Sequence, residues 1–389
     1  MENNINESAS PVQIKRENKK YPGPVAAGSL FSLATIFLTY GGVLLPFENN
    51  YLRSGLGEVL FILLPVLIFL ILGKYNLKDT LKLRRTRPVN YVIIVLLMMV
   101  AMPIVAVFNA LGLIIIKQIF SKNLPVDQIR ISDVPTLLIA LLVIGVSAAV
   151  CEETLFRGSI SKGYERFGVI ASLLTTSILF GILHRDIQKC ISTILLGVLI
   201  GFIVHRTKSI YGGMVAHFTN NAAVVFITYQ ASKLYKNMEQ MDINQALDYD
   251  FSNIPLLSIV FVIIFYALIF LVFVSTFVAL LYALYRTTKS NFNTEVVQPV
   301  NEAEPILPVP DGIDITQQQL VLDRIETENI HLQQVTEKAR TRRFSWAALI
   351  SVLPGLVLIF LIFTAQILYL MDINNGIVYD VLKALLLKK

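Results

Sequence analysis

The sequence predicts an all-α, polytopic transmembrane helical bundle, and three observations carry that prediction. Hydrophobic residues make up 55% of the 389 positions and charged residues only 15%. The mean hydropathy of +0.65 is well above what a water-facing surface needs. The apolar residues gather into nine runs, 24–47, 57–73, 91–116, 135–156, 168–184, 187–204, 210–231, 253–285 and 344–371. Each is close to the roughly 20 residues that cross a hydrocarbon core. Because lipid offers backbone amides no partner, each run must close its hydrogen bonds within its own helix.

Polar segments frame these runs. Residues 1–23 are too long and too polar to open a cleaved signal peptide, so the first run is expected to be a retained anchor. Basic residues mark one set of joins: Lys15, Arg16, Lys19 and Lys20 before the first run, Lys74, Lys78, Lys82, Arg84, Arg85 and Arg87 between the second and third. Arg286 and Lys289 follow the eighth, and Lys338, Arg340, Arg342 and Arg343 precede the ninth. The positive-inside rule then predicts a cytoplasmic amino terminus, a return of residue 286 to that side, and export of the carboxyl end by the ninth run. The net charge of +6 is spread over loops rather than collected in a patch, so no nucleic-acid partner is expected. Two cysteines, Cys151 and Cys190, are too few for a disulfide framework or a cysteine-built zinc cluster.

Residues 24–285 are expected to form an eight-span body. Residues 286–343 form a polar insert that opens with the Pro-rich QPVNEAEPILPVPDG, an extended linker. In its second half Val321, Ile325, Leu332, Val335 and Ala339 follow alternating helical spacings. That is either a short coiled coil or a solvated helix leading into the span at 344–371, and the insert is a candidate docking segment for a protein partner. The tail 372–389 is expected along the membrane surface. No internal repeat is evident, which argues against an inverted-repeat transporter.

Charge inside these runs is the informative signal. CEETLFRG, residues 151–158, follows LLIALLVIGVSAAV directly. Ionisable residues in a span cost several kcal/mol and mark a functional site when a partner can be named. Glu153 and Arg157 stand four apart, with the acid first, the favourable order for a helical ion pair. Glu152 then points about 100° away, unpaired and able to act as a general base or acid. The alternative is that the helix ends near residue 150 and EETLFR is an interfacial turn. Two of the four histidines also lie in apolar runs: His184 in FGILH, after Phe180, and His217 in HFTNN. His217 and Asn221 share a helical face and can donate to one oxygen. His205 and His331 are expected to be solvated bystanders.

The ordered set Glu152-Glu153-x-x-x-Arg157, Phe180-x-x-x-His184 and His217-x-x-x-Asn221 resembles the signature of the CAAX protease and bacteriocin-processing (Abi) family of intramembrane endopeptidases. That family includes the type II prenyl-protein endopeptidases and lysostaphin-resistance proteins. The resemblance covers residues 135–225 most strongly. It implies a cell-membrane protease, in a bacterium that of the cytoplasmic membrane, acting on a membrane-associated peptide or protein. It implies that Glu152 and His184 hold and activate water, that His217 and Asn221 form an oxyanion hole, and that Glu153, Arg157 and Phe180 support the site. No cofactor is favoured. A zinc ion held by Glu152, His184 and His217 is the alternative, although the His-Glu-x-x-His helix pattern is lacking. The insert 286–343 and the ninth span depart from the family's usual eight-span fold. The competing reading from another class is a non-catalytic membrane scaffold or immunity factor acting on a cell-envelope enzyme or sensor. One geometric difficulty accompanies the resemblance. Counted along straight helices, His217 lies shallow, Glu152 at mid-depth and His184 deeper, so tilt or a long extension of the fourth helix is expected.

Overall fold

The computed structural model describes residues 20–45, 47, 49–124, 131–238, 255–291 and 346–372. The Pro-rich stretch of the insert and the segment expected to be helical, with His331, lie outside the described residues, as do residues 1–19 and 373–389. Among the described residues there is no strand, and each predicted run carries a helix: α1 Pro24–Tyr40, α2 Asn50–Leu72, α3 Pro88–Phe120, α4 Val134–Phe167, α5 Val169–Leu183, α6 Cys190–Thr207, α7 Ile210–Met238, α8 Leu256–Thr287 and α9 Trp346–Leu370. Six of these, α2, α3, α4, α6, α8 and α9, are long and apolar enough to cross a membrane, and α1 and α5 are shorter apolar helices. Helix α7 is long enough but carries His217, Thr219, Asn220 and Asn221 in its first half.

Local chemistry sets the ends. The Asn49 side chain accepts from the amides of Tyr51 and Leu52 and caps α2, and Asp133 accepts from Thr136 N to cap α4. Pro24 and Pro88 occupy first-turn positions of α1 and α3, where a missing N–H costs nothing. The helix running through the Glu152 motif does not stop near 150 or 156. It continues to Phe167 and turns at Gly168, whose φ of 100° suits only glycine. The alternative of an interfacial turn is therefore not met, since the segment is helix, and the depth difficulty is relieved. Glu152 stands fifteen residues before Phe167, and His184 fifteen after Val169 on the antiparallel α5. At 1.5 Å per residue both lie about 22 Å along their axes from the same turn.

Helix α4 is not uniform. Leu141–Ser147 and Thr154–Ile160 adopt the wider π-helical turn, and so does Glu58–Leu63 in α2. A π turn inserts a residue into the α register and loosens backbone pairing, which lets carbonyls bond elsewhere. Ile144 O accepts from Asn221 Nδ2 at 2.8 Å and Arg157 O accepts from Lys82 Nζ at 2.8 Å.

Buried apolar residues form three clusters. One joins α1, α2, α4, α5 and α9 around Phe31, Leu155, Phe156, Ile160 and Phe180; another joins α3, α6, α7 and α8 around Leu97, Ile200 and Leu284; a third joins α4 and α7 around Ala140, Val225 and Tyr229. Among the described residues only α7 contributes to all three, adding Ile210 to the first, Ala216 to the second and Val225 to the third. Outward positions such as Leu72, Ile170, Phe261 and Phe360 remain exposed and apolar, as a lipid-facing surface requires. Helix α8 packs through its carboxyl half, around Phe277, Leu280 and Leu284, and is tied to α6 where Arg206 donates to Tyr285 O at 2.9 Å.

The ninth span is fitted closely to the first. Ser32 Oγ donates to Ser351 O at 2.8 Å and accepts from Gly355 N at 3.1 Å. A Cβ on Gly355 would lie 3.0 Å from both the Phe31 ring and Ser32 Cα. Small residues let two membrane helices approach this way without any hydrophobic drive. Gly355→Leu should therefore overpack the α1–α9 seam at a cost of about 1–3 kcal/mol. The expected readout is a lower thermal unfolding midpoint of the detergent-solubilised protein, with Gly355→Ala intermediate.

Candidate active site

Helices α4, α5 and α7 carry the predicted residues, and α4 and α7 bring four of them together. Glu153 has a side chain 0% exposed and Arg157 one 3% exposed, and Arg157 Nη1 donates to Glu153 Oε1 at 2.9 Å. The same carboxylate oxygen receives His217 Nδ1 at 2.9 Å. Since the oxygen of a carboxylate bound to arginine can only accept, His217 Nδ1 is the donor and its Nε2 is left to face elsewhere. That nitrogen points to Glu152, whose Oε2 lies 3.9 Å away. Glu152 is 12% exposed, and its Oε2 is enclosed without a hydrogen-bond partner among the described residues. Glu153 ties one oxygen to Arg157 and His217 and leaves its Oε2 enclosed without a partner among the described residues, whereas Glu152 keeps its Oε2 beside the other nitrogen of the imidazole.

The supports come from four helices. Arg157 Nη2 donates to Gly197 O of α6 at 3.2 Å, and its guanidinium lies 4.3 Å from the centroid of the Phe180 ring of α5. Phe180 is fully buried and stands edge-on to His217 at 5.7 Å and to His184 at 4.9 Å. A Cβ on Gly213 of α7 would sit 2.9 Å from Glu153 Oε2 and 2.5 Å from Val204 Cγ2, so the close approach of α7 to the acid needs glycine. Asn221 is bonded to α4 through Ile144 O, which fixes one amide hydrogen and leaves the other for a ligand.

His184 is placed differently. It caps α5, its Nδ1 pairs with Phe180 O at 3.0 Å, and its side chain is exposed. It approaches the acidic pair through the Phe180 ring, and no hydrogen bond joins it to Glu152 among the described residues. The alternative zinc set does not converge: no group of three His, Cys, Asp or Glu side chains among the described residues is arranged to hold a metal ion. Glu152 and His217 face one another, and His184 turns its Nδ1 to its own helix.

Two residues were not singled out as site residues from the sequence. Glu58 opens a π turn of α2 that packs on α4. One of its carboxylate oxygens is enclosed without a partner, and it interacts electrostatically with Glu152 and Arg185. A lone acid at the head of EVLFILLPVLIFLIL was the available signal. Lys82, read as one basic residue of a loop cluster, instead reaches inward to Arg157 O and pairs with Glu165 at 3.1 Å. Burial pushes its ammonium below the usual lysine range, with Glu165 opposing the shift. Behind Arg157 these groups and His205 line a cavity of about 40 Å³, which is room for about three waters. His205 is half-buried there rather than a solvated bystander.

The long apolar helices describe an integral membrane protein with a buried polar constellation set between α4, α5 and α7. Residues 134–223 match the family model described as "Type II CAAX prenyl endopeptidase Rce1-like". The chain is also 29% identical over 106 residues to the Bacillus subtilis (strain 168) protein named "Putative membrane peptidase YdiL". That alignment covers 27% of this chain and 42% of the relative, so the two are alike over less than half of its length. No solved structure matches the chain.

Arg157→Met should leave Glu153 buried without its cation and destabilise the fold by about 3–5 kcal/mol. Unfolding in detergent should show that loss, and adding Glu153→Gln to the same chain should recover part of it.

Proposed function

We propose that this chain is an intramembrane endopeptidase that hydrolyses a peptide bond of a membrane-associated peptide or protein. The observation that carries the reading is the pairing of a free Glu152 oxygen with His217 Nε2 at 3.9 Å, beside a Glu153 that is already neutralised by Arg157. The family match over the same segment supports it at the level of class.

In this reading Glu152, with His184 across the open side of Phe180, holds a water and takes one of its protons as oxygen attacks the scissile carbonyl carbon. The carbonyl oxygen becomes an alkoxide. To stabilise that oxygen His217 must offer an Nε2 proton as well as the Nδ1–H that it gives to Glu153, and it does so beside the second amide hydrogen of Asn221. The C–N bond then breaks, the amine leaves with the proton Glu152 collected, and the carboxyl product forms without a covalent enzyme intermediate. Fixed donors in a dry site act where charge develops, which is where they lower the barrier most. Glu153 and Arg157 hold His217 in its orientation and place. No metal step is required by these residues, and zinc-dependent cleavage is the competing outcome of the test.

The test is cleavage of membrane-inserted peptides by the full chain in proteoliposomes, with products read by mass spectrometry. Glu152→Gln should lower kcat by about 10²–10⁴-fold, the usual worth of a positioned base. Asn221→Ala should lower it by about 10²–10³-fold, as loss of one oxyanion donor does. Activity should survive a zinc chelator. Full activity in both Glu152→Gln and His184→Ala would overturn the mechanism, and loss to the chelator with recovery on added zinc would replace it with a metal one.

A further inference from the structure

The segment carrying His184 is held by a helix outside the region of family similarity. After α5 the chain makes a tight turn over 184–189 in which Arg185 adopts φ 55°, an uncommon left-handed conformation for a residue other than glycine. Such a turn persists only when its surroundings fix it. Gln366 of α9 supplies the fixing: its Oε1 accepts from Ile187 N at 3.1 Å while its Nε2 donates to Arg185 O at 2.7 Å. One side-chain amide therefore satisfies a donor and an acceptor two residues apart, as a neighbouring peptide group would. The Arg185 guanidinium donates to Leu38 O of α1 at 2.9 Å and feels the Glu58 carboxyl of α2. Helix α9 is itself seated on α1 through Ser32, Ser351 and Gly355.

We propose that Gln366 is a positioning residue for His184, so that the ninth span is a working part of the candidate active site rather than an appended anchor. This inference rests on the endopeptidase reading for its catalytic consequence, but not for its structural one. Glutamate at 366 would set a carboxylate against Arg185 O, methionine would offer neither partner, and asparagine keeps both groups on a shorter stem. The ranking expected for placement of the His184 turn is Gln, then Asn, then Met and Glu.

The full chain in proteoliposomes, as wild type and as Gln366→Met, Gln366→Glu and Gln366→Asn, tests this with three readouts. Amide hydrogen exchange over 185–189 should quicken by about tenfold or more in Gln366→Met while the rest of α5 and α6 is unchanged. Modification of His184 by diethyl pyrocarbonate should change by about fivefold or more, with His205 as the internal control. On a cleaved membrane peptide, kcat should fall by about 10- to 100-fold with KM held within about twofold, and Gln366→Asn should recover part of it. Unchanged exchange and unchanged His184 reactivity in Gln366→Met overturn the proposal. Changed exchange with wild-type kcat overturns its catalytic half. If the wild type cleaves nothing, the functional reading falls, and exchange and reactivity still decide whether Gln366 positions His184.

Discussion

A carboxylate with no exposed surface inside a membrane helix is tolerable only if cations and donors meet it, and Glu153 meets both at one oxygen. That requirement organises the centre of the molecule. Arg157 satisfies the acid from one turn along α4, yet it must itself be anchored, and α6 supplies the Gly197 carbonyl while α5 supplies the face of Phe180. His217 completes the set from α7, which can come close only because Gly213 offers no side chain. Four helices are thereby fixed in rotation and depth around one charge. Glu152, one residue back, inherits that precision without a hydrogen bond to Arg157 among the described residues.

The irregular helical turns serve the same constraint. A regular α-helix spends its carbonyls on itself and can offer a neighbour only side chains. By loosening that pairing, α4 presents Ile144 O to Asn221 and Arg157 O to Lys82 on opposite sides of the acidic doublet. Backbone irregularity at membrane depth is acceptable where protein groups rather than lipid answer it, as they do here.

Much of this was legible in the sequence for simple reasons. Spans announce themselves by hydropathy, and the four-residue spacing of Glu153 and Arg157 is geometry that any helix obeys. His217 and Asn221 likewise had to share a face. What escaped was of two kinds. The extent of α4 depended on helix continuing past Arg157, where the polar residues SKGYER resemble a loop; Gly168, the residue that stops it, was readable only in hindsight as the stop. The partners of each polar group depended on packing between helices, which hydropathy does not encode. Glu58 and Lys82 look like a border acid and a loop base, and only the fold turns them inward. Gln366 is one polar residue in a long apolar run, and nothing local tells what it touches. Residue types and spacing suggested the chemistry of Glu152, His184, His217 and Asn221, but not that His184 would stand on the exposed side of Phe180 while His217 is sealed on the other.

The wider turns carry a further consequence for how this chain can vary. Each closes i→i+5 rings, so every residue in it turns the chain by less than the 100° of an α-helix, and the bearing of the side chains that follow depends on how many residues the wide turn takes up. In α4 the stretch Leu141–Ser147 comes just before the acids. The compass bearing of Glu152 and Glu153 is therefore written in the count of residues upstream as much as in their identity. Losing a single apolar residue there would leave hydropathy and every motif intact, and would turn both acids by about 100° unless the wide turn closed to an α turn to absorb the loss. Two relatives can then share each signature residue and still differ in whether those residues look at one another.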